Sequence, residues 1–194
     1  MSRWILIDVS SSYTFRYDGH ASARASDYAS RRLHEVLAAQ PAVIQCRGLN
    51  SESEDGAMEK ALKEAFKIVD EEIIDDVNHR KRGYGTTAVC ALLVNQVMYV
   101  AHCGDSRAIL FRDGAAVQLT QDHKPASNPT ERARIEAQGG KVNVGTDYVI
   151  SEDHKSALNM SRSVFILNST HSNLLTCICS HLIKSNPTLS DAGL

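Results

Sequence analysis

The chain has 194 residues, with Lys+Arg 21 against Asp+Glu 23 and a formal net charge of −2. That length corresponds to one ordinary domain or slightly more, able to bury about 70% of its unfolded surface without a disulfide or metal staple. The near-neutral balance gives no basic excess for non-specific nucleic-acid binding and no acidic block of the kind found in disordered tails. No apolar run approaches the roughly 20 residues of a membrane span. The stretch from Trp4 to Val9, broken by Asp8, is too short for a signal-peptide core. The odd set of five cysteines, at 46, 90, 103, 177 and 179, lacks the spacing of a disulfide framework. It reads as reduced thiols in a cytoplasmic or nuclear protein.

In chain order, Tyr13 to His20 alternates as a strand and ends in Asp18-Gly19-His20. Ala21, Ala25, Tyr28, Ala29, Leu33, Val36 and Leu37 then form one apolar stripe, predicting a helix from Ala21 to Gln40 with Pro41 as its stop. The polar stretch from Leu49 to Gly56 predicts a loop. Met58, Leu62, Ala65, Phe66, Val69, Ile73 and Val77 mark a second helix, from Ala57 to Val77. Its acids Asp70, Glu71, Glu72, Asp75 and Asp76 read as a solvated face.

The period then changes to two. Thr86 to Val94 and Gln96 to His102 predict strands turning near Asn95. Ala108 to Phe111 and Ala116 to Leu119 flank Asp113-Gly114, a hairpin signal. Asn128-Pro129-Thr130-Glu131 has the form of a capping box, opening a helix to Gln138 that Gly139-Gly140 closes. From Ser163 onward only Lys184 and Asp191 are charged, and no period is visible. This pattern is α+β, with antiparallel strands in a meander rather than a βαβ alternation.

Asp18-Gly19-His20 is one place for chemistry. Aspartate is a hard oxygen donor for Mg²⁺ or Mn²⁺, glycine lets a backbone carbonyl approach an ion, and histidine exchanges protons near neutral pH. Gly104-Asp105-Ser106-Arg107 would present a second carboxylate at a strand end. Taken separately, each is also the composition of a plain turn. His34, His79, His102, His123 and His154 show no ligand spacing and read as ordinary surface or core residues. Cys177-Ile178-Cys179-Ser180-His181 fits no common zinc pattern, and Asn168-Ser169-Thr170 is a glycosylation triplet, meaningful only in a secreted chain.

Together, the segments resemble a known family in its own order. YDGHASARASDYASRRLHEVL resembles the DGH motif and following helix of the PPM-type family, the metal-dependent type 2C Ser/Thr protein phosphatases. YGTTAVCALLVNQVMYVAHCGDSRAILFRDGAAVQLTQDHKP resembles its central strands with the GDSR and DHKP motifs. NPTERARIEAQGGKV resembles its next helix and glycine pair, and ALNMSRS the start of its serine-arginine motif. The resemblance covers residues 13 to 163, between a non-matching segment 1–12 and a non-matching tail 164–194.

It implies an incomplete β-sandwich of antiparallel strands flanked by helix pairs. It implies a binuclear Mn²⁺ or Mg²⁺ centre with Asp18 bridging the metals, the Gly19 carbonyl on one of them, and Asp105 on a third, weaker ion. His20 resembles the general acid for the leaving serine or threonine oxygen. The implied substrates are phosphorylated proteins, met by a monomer. The family's N-terminal Arg and Glu-Asp pair, and its later Asp-Gly and Asp-Asn, have no counterpart here. On that ground the expected activity is weak or absent, and the alternative is a phosphoprotein-binding module without catalysis.

Overall fold

A computed structural model describes residues 2–8, 11–46, 56–80, 84–94, 97–112, 114–137, 140–143, 145, 148–150, 157–158, 161 and 180–184. Five antiparallel strands form the main sheet, in the order β1-β2-β3-β4-β10. They are β1 (Ser2–Asp8), β2 (Ser11–His20), β3 (Gly85–Val94), β4 (Val97–Cys103) and β10 (Ser180–Lys184). The helices are α1 (Arg24–Ala38), α2 (Pro41–Cys46), α3 (Ala57–Arg80) and α4 (Pro129–Ala137). Two smaller sheets pair β5 (Ile109–Arg112) with β6 (Ala115–Gln118), and β7 (Lys141–Val142), β8 (Val149–Ile150) and β9 (Ala157–Leu158) with one another. The α+β class expected from the periods is the one observed.

Strand alternation decides what each sheet face touches. Tyr13, Phe15 and Tyr17 of β2, Ala88, Cys90, Leu92 and Val94 of β3, and Ala101 and Cys103 of β4 enter one core with α1 and α3. From α1 come Ala25, Ala29, Leu33, Val36 and Leu37; from α3 come Met58, Leu62, Ala65, Phe66, Val69 and Ile73. The stripes predicted for the two helices are thus the buried faces, and each large side chain withdrawn from water contributes about 1.5–3 kcal/mol. The alanines let α1 lie close against the strands.

The opposite face is thinner. Val89 and Val100 meet Leu119, with Ala91, Met98, Ala108 and Leu110 partly buried around them. A groove of about 300 Å³ remains between this face and the β5–β6 hairpin, with Arg16 and Arg107 among its lining residues. None of Asp18, His20 and Asp105 lines it, so it is packing space rather than part of the candidate site.

Several local expectations are met and others are refined. Gly114 takes φ 76° in the hairpin, with Arg112 opposite Ala115. Asn128 Oδ1 accepts the Glu131 N–H at 3.1 Å, capping α4. The first helix starts at Arg24, not Ala21, because Ala21 takes φ 61° and turns the chain out of β2. Pro41 ends α1 but also opens α2, since a proline at the first helical position gives up only an N–H that has no partner there. The short apolar stretch after Met1 forms β1, Ser2 pairing with Arg16 and Ile5 with Tyr13. In the tail, β10 adds to the edge of β4, with His181 opposite Val100.

The acids of α3 are not all solvated. Glu72 accepts from Arg32 Nε at 2.9 Å, from Arg32 Nη2 at 2.8 Å and from the Tyr28 hydroxyl at 2.9 Å, tying α3 to α1. Cys46, Cys90 and Cys103 are buried and unbridged. Among the described residues no helix is long and apolar enough to cross a membrane. The predicted loop at Leu49–Gly56, apart from Gly56, lies outside the described residues, as do the Asn168 triplet and Cys177 and Cys179.

Candidate active site at the Asp18 end of the sheet

Register brings the two motifs together. Asp18 on β2 pairs with Thr87 on β3, and Ala88 pairs with Cys103, the last residue of β4. Gly104-Asp105 therefore leaves β4 at the level of Asp18, two residues before β2 ends at His20. The Thr87 and Ser106 hydroxyls lie 2.6 Å apart and fasten this corner to the middle strand.

His20, half-buried, completes the group. Burial pushes its imidazole below the ordinary histidine value, while the charges of Asp18 and Asp105 pull it back up. Neither ring nitrogen has a hydrogen-bond partner among the described residues. Gly19 is required by space: a Cβ there would stand 2.7 Å from Ser26 Oγ and 3.1 Å from the Ser22 carbonyl. The first turn of α1 therefore packs directly on the strand end. Asp18, Gly19, His20 and Asp105 thus share one end of the sheet, as the motifs suggested.

Around them lies a network that the motifs did not reveal. Lys124 Nζ is 2.9 Å from Asp105 Oδ2. The Gly104 N–H donates to His123 Nδ1 at 3.1 Å, and the His123 N–H donates back to the Gly104 carbonyl at 3.1 Å. Arg107 donates to Asp122 through Nε at 2.7 Å and Nη2 at 2.8 Å. Ser161 Oγ sits 3.0 Å from the His123 carbonyl and 2.7 Å from Glu131 Oε1. Glu131 is also paired with Arg134. GDSR, DHKP and the serine-arginine motif were visible as strings, but which residue of one meets which residue of another was not.

The Arg107 pair has a pH consequence. Its two hydrogen bonds hold the Asp122 carboxyl below the usual aspartate value, with partial burial acting the other way. A lowered folded value means stability that is present above the unfolded value of about 3.9 and lost as pH falls through the folded one. Asp122→Asn is therefore expected to destabilise at pH 6, with the difference from wild type shrinking as the pH drops toward 2. Urea midpoints across that range check this; a constant difference would refute it.

A hard dication wants about six oxygen donors. Asp18 and Asp105 have the right donor chemistry, and the Gly19 carbonyl adds one oxygen. Among the described residues, however, no three His, Cys, Asp or Glu side chains gather as an ion needs. The Asp105 carboxylate is also already engaged by Lys124. The described residues by themselves do not form a binuclear cage.

A family model described as protein phosphatase 2C matches residues 7–171. A probable protein phosphatase 2C 52 of Oryza sativa is 38% identical over 126 residues, covering 65% of this chain and 23% of the relative. Protein phosphatase 2C homolog 2 of Schizosaccharomyces pombe is 36% identical, covering 66% and 32%. Protein phosphatase 1F of Mus musculus is 38% identical, covering 66% and 26%. The chain thus spans about a quarter to a third of the length of these relatives. A solved serine-threonine phosphatase 2C from Toxoplasma gondii superposes with a TM-score of 0.79 at 19% identity, over 94% of this chain and 66% of that one, which speaks for the fold. With DGH, GDSR and DHKP converging at one sheet end and the family model covering most of its length, the chain belongs to the protein phosphatase 2C family.

Proposed function

We propose that the chain carries protein serine/threonine phosphatase chemistry, the hydrolysis of phosphoserine and phosphothreonine in proteins, at a rate well below that of a complete enzyme. The observation that carries this reading is the convergence of Asp18, His20 and Asp105 at one end of the sheet. Mn²⁺ or Mg²⁺, entering at Asp18 and the Gly19 carbonyl, would supply the electrophile that draws charge from the phosphoryl oxygens.

The chain's own residues do the rest. His20, whose ring nitrogens have no partner among the described residues, holds the proton that passes to the departing hydroxyl oxygen as water attacks phosphorus. Burial outweighs the opposing charges of Asp18 and Asp105 and holds the ring below the ordinary histidine value, which makes its proton easier to give up. Gly19, having no side chain, lets Ser22 and Ser26 pack against the strand end. Three buried, unbridged cysteines support a cytoplasmic or nuclear setting, with phosphorylated proteins as substrates.

Phosphate release from a phosphothreonine peptide tests this, in Mn²⁺ and in EDTA, with Asp18→Asn as the blank. The expected result is release that needs both Mn²⁺ and Asp18, at less than about 1 s⁻¹. Equal release by the blank would refute the role of Asp18.

One observation favours a second reading. Lys124 pairs with the Asp105 carboxylate at 2.9 Å, which suits a module that binds phosphoproteins without hydrolysing them. Capture of the phosphorylated peptide over its unphosphorylated form, with no release, would select this reading; equal capture would count against it.

A further inference from the structure

We propose that His123 is a positioning residue, whose neutral imidazole accepts the Gly104 N–H and thereby fixes the corner that sets Asp105 beside His20. Gly104 takes φ 98°, a backbone conformation that L side chains rarely adopt, immediately after β4 ends. A backbone N–H can only donate, so the 3.1 Å bond to Nδ1 requires a lone pair there and places the ring proton on Nε2. The return bond from the His123 N–H to the Gly104 carbonyl, also 3.1 Å, closes a two-bond clasp between corner and loop.

The clasp is itself anchored. The His123 ring is buried and stacks on His102 of β4, with centroids 4.5 Å apart and planes 5° from parallel. Its carbonyl accepts the Ser161 N–H at 2.7 Å, joining a third segment. The neighbouring residue, Lys124, grips the Asp105 carboxylate. Consecutive residues of one loop thus hold consecutive residues of the corner, Gly104 by its N–H and Asp105 by its charge. The proposal rests on the phosphatase reading only for its kinetic consequence.

Two functions of the ring must be separated, accepting the bond and filling space. His123→Phe keeps the stacked ring and loses the acceptor. His123→Asn loses the ring but places Oδ1 where Nδ1 stood, the same number of bonds from Cα. Positioning predicts that the Gly104 amide exchanges about tenfold faster in the Phe variant, in line with the loss of one buried hydrogen bond, and stays near wild type in Asn. The Asp105 carboxyl carbon shift should move in Phe alone. Phosphopeptide turnover should follow the same order, kcat falling about tenfold or more in Phe with KM unchanged, and recovering in Asn.

The reverse order, Asn impaired and Phe normal in Gly104 exchange, would overturn the proposal in favour of packing. If neither variant folds, the wild-type protein decides. An unprotonated-type ¹⁵N shift at His123 Nδ1, coupled to the Gly104 amide, supports the clasp, and a protonated Nδ1 overturns it. Absence of phosphate release from wild type would sink the phosphatase reading alone, since Gly104 exchange and the Asp105 shift still judge the positioning.

Discussion

Phe66→Ala is expected to lower the free energy of unfolding by about 3–5 kcal/mol, measured by urea titration with an unchanged slope. Phe66 is 1% exposed on α3, inside the core that α1, α3 and one face of the sheet share. Truncation removes its transfer free energy and leaves a cavity that two helices and a sheet cannot all close at once. Phe66→Leu restores much of the volume and should cost less than half as much. Phe111, 75% exposed on β5, is the control: its alanine variant should stay within about 0.5 kcal/mol of wild type. A Phe66→Ala loss no larger than that of Phe111→Ala would show that the α3 face is not the core.

Arg134→Met is the second large effect, expected to cost about 3–5 kcal/mol. Glu131 is almost fully buried, its side chain 4% exposed, and Arg134 is its paired cation. Removing the cation takes a charge partner from a carboxylate that water hardly reaches and that also accepts from the Ser161 hydroxyl. Glu131→Gln keeps the shape and an acceptor for the Ser161 hydroxyl, and should cost about 1–2 kcal/mol. The double variant should then be more stable than Arg134→Met alone, because the buried charge that Arg134 offsets is gone; additive losses in this cycle would rule out the coupling.

Legibility from sequence divides along physical lines. The apolar stripes of α1 and α3 and the alternation of β2, β3 and β4 were readable because solvent exclusion acts on periodic patterns that a single chain displays. The hairpin at Asp113-Gly114 and the cap at Asn128 were readable because they are local. The two strands at the sheet edges were not. β1 carries only a short apolar stretch and β10 lies in a low-charge tail without alternation, so both are specified by pairing with strands already in place. At the site, Asp18, Gly19, His20 and Asp105 stood out as motif residues, and the structure brings them to one sheet end. Glu72 was read as a surface acid because nothing in the spacing of α3 indicates that Arg32 of another helix reaches it. His123 was set aside with the other histidines because its partner, a glycine N–H, has no side-chain signature at all.

The strand order has a consequence for how the chain acquires its site. β3 and β4 are chain neighbours, so their hairpin is cheap to form and already contains Gly104 and Asp105 at its end. β2 must reach β3 across the whole helical excursion from α1 through α3. Closing a loop of roughly 60 residues costs about 4 kcal/mol of chain entropy before any contact repays it. That repayment comes mainly from α1 and α3 docking on the face that β2, β3 and β4 share. Asp18 can therefore meet Asp105 only after this non-local pairing is made, and no fragment shorter than the span between them contains both halves of the site. Its integrity thus reports on global assembly, and a chain whose helices α1 and α3 cannot dock on the sheet would lose the site while keeping every motif in its sequence.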